Sequence, residues 1–163
     1  MDITQAFRSG AVAPYTVYVN KYSHAGSDLM RFSLPPTPKL LARLQRDGGW
    51  TLNPRTGRFV TGAGYVVANP PGALGARKTA SQLAQEPGTF LNVAARNADL
   101  LAKPGMMLGA WLDTETGDTY VEVSEVFARP SDAIRVARAR GELAIFDLYS
   151  KQEIRVTSTE RVV

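Results

Sequence analysis

Val121 and Val123 alternate with Tyr120, Glu122 and Ser124, the period of two expected of a strand with one buried face and one wet face. The run before it, Met107-Leu-Gly-Ala-Trp-Leu112, leads into Asp113-Thr-Glu-Thr-Gly117, so the two runs read as a hairpin. Pro130, Ser131 and Asp132 then open a helix whose apolar side is Ala133, Ile134, Val136 and Ala137. Gly141 closes it where a left-handed residue commonly ends a helix. Leu143-Ala-Ile-Phe-Asp-Leu148 is apolar almost throughout, the pattern of a central strand covered on both faces, and Glu153-Ile-Arg-Val156 follows as another strand. A helix between two strands predicts a right-handed crossover if those strands run parallel.

The first half of the chain is punctuated in the same way. Residues 1–13 are small and polar and read as loose. Tyr15-Thr-Val-Tyr-Val-Asn-Lys-Tyr22 is β-branched and aromatic, a strand, and Leu29 to Leu34 predicts a second short one. Thr37 suits an N-cap with Pro38 at the first helical position, Leu40, Leu41 and Leu44 form the apolar face, and Gly48 stops the helix. Trp50 to Val60 predicts a hairpin turning at Asn53-Pro-Arg-Thr-Gly57, laid out much as Trp111 to Val121 is. Gly57 and Gly117 suit the left-handed position of a type I turn with a G1 bulge. Tyr65 to Ala68 is a further strand, and Asn69-Pro-Pro-Gly-Ala-Leu-Gly75 is the least structured loop of the middle of the chain. Helical signal covers Thr79 to Gln85 and, after Pro87-Gly88, Thr89 to Leu101, with Phe90, Val93, Ala94, Asn97 and Leu101 near one face.

These elements predict an α+β fold: a mixed, mainly antiparallel sheet of about six to eight strands with three or four packing helices. A loose segment at 1–13 would precede a single domain at 14–163, a normal domain size.

Composition narrows the chemistry. There are no cysteines, which rules out disulfides, thiolate metal sites and cysteine nucleophiles. No apolar run approaches the length of a membrane span, and the N-terminus lacks a signal peptide's basic and apolar regions, so a cytoplasmic protein is expected. The net charge of +4 is unevenly spread: ten Lys/Arg face three Asp/Glu up to residue 80, and nine face twelve after it. Arg43, Arg46, Arg55 and Arg58 crowd a short stretch, a candidate anion or nucleic-acid surface to which Arg77 and Lys78 add.

The run L-G-A-W-L-D…Y-V-E-V-S…A-I-R-V-A-R…G-E-L-A-I-F-D-L, together with Gly48-Gly-Trp-Thr-Leu-Asn-Pro-Arg-Thr-Gly-Arg-Phe-Val-Thr-Gly-Ala-Gly-Tyr-Val-Val67 and Asn-Ala-Asp-Leu-Leu-Ala at 97–102, resembles a pattern common among uncharacterised proteins of actinobacterial phages, prophages and plasmids. The resemblance covers roughly residues 47–156. Its positions are turn glycines and core residues, so it implies a mobile-element origin and a shared fold, and it carries no catalytic residue across.

Candidate reactive groups stay incomplete. His24 is the only histidine, in the loop Ser23-His-Ala-Gly-Ser-Asp28, where a solvated side chain is the plainer reading. Pro71 to Thr79 has the context of a phosphate loop, but Arg77 stands where a Walker A motif requires glycine; a helix N-terminus with Arg77, Lys78 and Thr79 remains an anion-site candidate. Asp113, Glu115, Asp118, Glu122 and Glu125 form the densest acidic cluster. An EF-hand reading fails because Ser124 occupies the bidentate position, whereas Asp113 and Glu122 facing each other across the hairpin would suit Mg²⁺ or acid–base work. Thr157-Ser-Thr-Glu160 lacks the downstream Glu-x-Glu loop of an ADP-ribosyltransferase. Asp147 closes its strand as a bare carboxylate. Trp50 and Trp111 are candidate partner-binding anchors, or else lids on the core.

No cofactor is expected, and with no complete catalytic constellation the reading leans away from an enzyme. It is that of a non-enzymatic accessory protein of a phage or mobile element, binding a host or phage macromolecule in the host cytoplasm. Direct nucleic-acid binding through the basic N-terminal half, and a small enzyme with an acidic/Arg cleft, are the alternatives.

Overall fold

A computed structural model describes the backbone of residues 3–7, 15–20 and 29–156 and the side chains of residues 31–156. The elements run β1 (Ile3–Phe7), β2 (Tyr15–Asn20), β3 (Leu29–Leu34), α1 (Thr37–Asp47), β4 (Gly49–Asn53), β5 (Arg58–Phe59), β6 (Tyr65–Ala68), β7 (Ala76–Thr79), α2 (Ala80–Gln85), α3 (Thr89–Arg96), α4 (Ala98–Leu101), β8 (Met106–Leu112), β9 (Asp118–Phe127), α5 (Pro130–Arg140), β10 (Ala144–Asp147) and β11 (Gln152–Arg155). The α+β class is as the periodicity predicts. The main sheet has eight strands in the order β11-β10-β6-β9-β8-β4-β5, with β7 also paired to β9, and curls into a half-barrel. All its pairings are antiparallel rather than mixed. Five helices form instead of three or four, because Asn97 divides the expected 89–101 helix into α3 and α4. A separate three-stranded sheet, β1-β2-β3, places a strand inside the segment expected to be loose.

Alternation along the strands fixes which face is covered. Trp50, Ala110 and Val121 lie opposite one another across β4, β8 and β9, and Leu52, Leu108 and Val123 form the next row on the same face. Onto these rows pack Leu40 and Leu44 of α1, Leu83 of α2, Phe90, Val93 and Ala94 of α3, and Ala98 and Leu101 of α4. Further along, Val67 and Ile145 continue that face and receive Ala133 and Ala137 of α5. The helices therefore share one side of the sheet. The other side, carrying Trp111, Tyr120, Glu122, Val66 and Phe146, has no helix over it among the described residues.

Several local expectations change. β9 and β10 do run in the same direction, but β6 lies between them and is antiparallel to both, so α5 spans a gap of one strand. β10 is consequently next to the edge strand β11, and a helix covers only its inner face: Ile145 is buried while Phe146 is 40% exposed. Thr37 does not cap α1; its hydroxyl donates to the carbonyl of Pro87, tying α1 to the loop before α3. The 69–75 loop is pinned rather than loose. Asn97, buried in the break between α3 and α4, accepts from the Leu74 N–H at 2.8 Å and donates to the Leu74 carbonyl at 2.7 Å and to Val93. Arg77-Lys78-Thr79, read as a loop entering a helix, is strand β7, which pairs with the first half of β9 while β6 pairs with the second.

Candidate functional site

Two hairpins built on one plan present their tryptophans to opposite faces. In the first turn Gly57 N–H donates to Asn53 O, Arg55 N–H to Asn53 Oδ1 and Arg58 N–H to Thr56 Oγ1. In the second, Gly117 donates to Asp113 O, Glu115 to Asp113 Oδ1 and Asp118 to Thr116 Oγ1. Both glycines are left-handed, at φ 72° and 78°. Trp111, however, stands one residue nearer its turn than Trp50 does, and a shift of one position on a strand exchanges faces. Trp50 accordingly enters the core at 7% exposure, packs against Phe90 and Phe59, and donates its indole N–H to Leu40 O. This removes Trp50 from the partner-binding candidates. Trp111 is 43% exposed on the helix-free face.

Around Trp111 the register assembles a row across three strands. Trp111 of β8 and Arg77 of β7 both lie opposite Tyr120 of β9. The two rings stack at 4.4 Å between centroids and 9° between planes, and the Arg77 guanidinium sits 5.2 Å from the Tyr120 centroid, held by Asp118 at 2.7 Å. Asp118 supports the Arg77 charge and pushes its pKa up further. On the side away from Tyr120, the indole's neighbour across β4 is Gly49. A Cβ at Gly49 would meet Ala110 O at 2.9 Å and Trp111 Cβ at 3.3 Å, so no side chain fits there to cover the ring from β4. Among the described residues the stack thus ends in a partly exposed indole.

The next row is Gly109 opposite Glu122. Glu122 accepts the Trp111 indole N–H at 3.1 Å and lines a shallow cavity of about 240 Å³ with Asn69, Gly75, Ala76, Arg77, Tyr120 and Val121. Burial, and then the nearby Glu142, push its carboxyl up to about 7, against the pull of the indole N–H. Asn69, left-handed at φ 54°, holds Glu142 at the cavity's rim with its side-chain amide. Chemically the arrangement offers a flat π surface, one carboxyl that changes charge near neutral pH, and an amide.

The remaining candidates scatter. Arg43 lies over the Phe59 ring at 4.0 Å and pairs with Asp47, which also takes both Nε and Nη2 of Arg46. Arg55 donates to the carbonyls of Leu101 and Lys103 at the end of α4, and Arg58 is exposed on the β5 hairpin. Lys78, adjacent to Arg77 and so on the opposite face, is held by Glu86 beside a hollow of about 390 Å³ at the start of α3. The six cations therefore form no single anion surface. Asp113 does not face Glu122; its carboxylate accepts from its own turn, the Glu115 N–H above all, which holds it below the usual range. Glu125 binds Arg140 of α5, and Asp147 accepts from the backbone of Tyr149 and Ser150. No group of three potential metal-ligating side chains occurs among the described residues. His24 and residues 157–160 lie outside the described residues.

Sequence reasoning found Trp111 but missed Tyr120 and Arg77 as its stacking partners. The one-residue difference in Trp-to-Gly spacing between the hairpins was the signal for the face; nothing local marks β7 as the neighbour of β9. No protein-family model matches the chain, and comparisons with curated proteins and with solved structures give no match.

Proposed function

We propose that this chain is a non-enzymatic accessory protein of a phage or mobile element, and that it binds a host or phage protein through the helix-free face centred on Trp111. One observation carries the reading: the Arg77–Tyr120–Trp111 stack ends in an indole that is 43% exposed and that Gly49, opposite it, does not cover. Exposed tryptophan, tyrosine and arginine held in fixed geometry are the side chains that dominate protein interfaces. The origin rests on the resemblance of residues 47–156 to phage and plasmid proteins. Against the nucleic-acid alternative, five of the six basic candidates already have a carboxylate or carbonyl partner, and Arg77 and Lys78 point to opposite faces. Against the enzyme alternative, the site holds one titrating carboxyl with no nucleophile or second acid–base group bonded to it.

The test is affinity capture from lysate of the host, comparing the protein with its Trp111→Ala variant. A partner retained by the first and lost by the second is expected. Recovery of the same proteins by both, or of none, defeats the reading. The nucleic-acid alternative is checked at low salt, where phosphate contacts are strongest and no binding is expected.

A further inference from the structure

The stack has a cation at one end and an exposed indole at the other. At the inner end, Arg77 lies over Tyr120 with Asp118 as its counter-ion. Arg43 over Phe59, with Asp47 beside it, repeats the arrangement elsewhere in the molecule. At the outer end Trp111, 43% exposed, lies opposite Gly49, which supplies no side chain. The hairpin that carries Trp111 is acidic. From Pro104 to Ala128 the chain has five carboxylates and no lysine or arginine. Arg77 pairs with Asp118 and also acts on Asp113, and Arg140 pairs with Glu125, so the β8–β9 hairpin keeps a net negative charge. An electron-rich ring on an acidic hairpin attracts a cation, and a flat one covers the ring best.

Resting on the reading that this face binds a protein, we propose that the exposed indole beside Gly49 receives an arginine side chain of the partner, its guanidinium stacked on Trp111 and drawn in by the acidic β8–β9 hairpin. The partner segment is basic. A nucleobase would also stack, but its phosphates would approach Asp113, Glu115 and Glu122. Lysine would satisfy the charge without covering the ring.

The probes are a Gly/Ser peptide carrying three arginines, the same peptide with lysines, and a single-stranded oligonucleotide of similar length. Binding is read from the fluorescence of Trp111; buried Trp50 gives a steady background. The arginine peptide should perturb the signal and bind about ten-fold more tightly than the lysine peptide. Trp111→Ala should abolish the effect. Glu122→Gln should weaken binding several-fold above pH 7 and flatten its pH dependence; Glu142, Arg77 and Tyr120, which face the same carboxyl, stay in place in that variant. Equal affinity for arginine and lysine, preference for the oligonucleotide, or binding undiminished in Trp111→Ala each overturns the inference. If the arginine peptide fails to bind while Trp111-dependent capture from lysate persists, the guanidinium assignment falls and the binding face stands; if both fail, both fall.

Discussion

Glu122 has a consequence for stability that is independent of any partner. Its carboxyl stays protonated in the folded protein up to about pH 7, whereas the unfolded chain gives the proton up in the ordinary carboxylate range. Between those values the unfolded state binds fewer protons, so this group's contribution is complete at low pH and is lost as pH rises through 7. Glu122→Gln removes the dependence, and at pH 8 the variant should be more stable by on the order of 2 kcal/mol. Denaturant titrations of both proteins at pH 5 and pH 8 check this; a variant equally destabilised at both values contradicts the shift. Two other buried polar residues make opposite predictions. Asn97 is fully engaged, and Asn97→Ala should cost about 2–3 kcal/mol because Leu74 N–H and two carbonyls lose their partner. The Thr119 hydroxyl is fully buried with no hydrogen bond, so Thr119→Val should gain about 1 kcal/mol. A loss on Thr119→Val shows the hydroxyl to be satisfied after all.

At the scale of elements, what was legible in the sequence was whatever is decided locally. The twin turns follow from side chains that bond their own backbone two residues on and from a glycine that accepts φ near 75°. The faces of α1, α3 and α5, and the left-handed stops at Gly48 and Gly141, were equally local. What was not legible depends on partners distant in the chain. Strand β7 looks like a basic loop until its pairing with β9 is known, and residues 143–148 look doubly buried because nothing in them says that β11 is the edge. The hairpins also differ in a way only packing shows. A Cβ at Gly117 points into open space, whereas one at Gly57 would sit 2.9 Å from the carbonyl oxygen of Ser33 in β3. Gly117→Ala should therefore cost about 1 kcal/mol, the left-handed penalty alone. Gly57→Ala should cost about 2–3 kcal/mol, since backbone must also move. Equal losses in thermal or denaturant unfolding argue that β3 does not press on the first turn.

Across the whole molecule, α5 carries the chain over β6 to reach β10, and beside its apolar packing it is tied down by a buried ion pair. Arg140, in its last turn, donates to Glu125 of β9 and to the carbonyl of Ala68 in β6, so a single guanidinium joins helix and two strands. Both partners of the ion pair are largely buried, at 11% and 21% side-chain exposure. Removing one charge from such a pair costs more than the pair contributes, because the other is left in a poorly solvated place. Arg140→Met keeps the aliphatic packing and strands Glu125; it should lose about 2–3 kcal/mol. Adding Glu125→Gln should restore part of that, giving a coupling of about 1 kcal/mol or more in a double-mutant cycle. The helices divide the sheet between them: α1 to α4 cover it beneath Trp111 and Tyr120, while α5 covers it beneath Val67 and Ile145. Loosening α5 should leave the binding face intact, so the double variant should keep the Trp111 fluorescence response to the arginine peptide even where its unfolding midpoint has fallen. Loss of that response in step with stability refutes the separation and makes the face a property of the whole sheet.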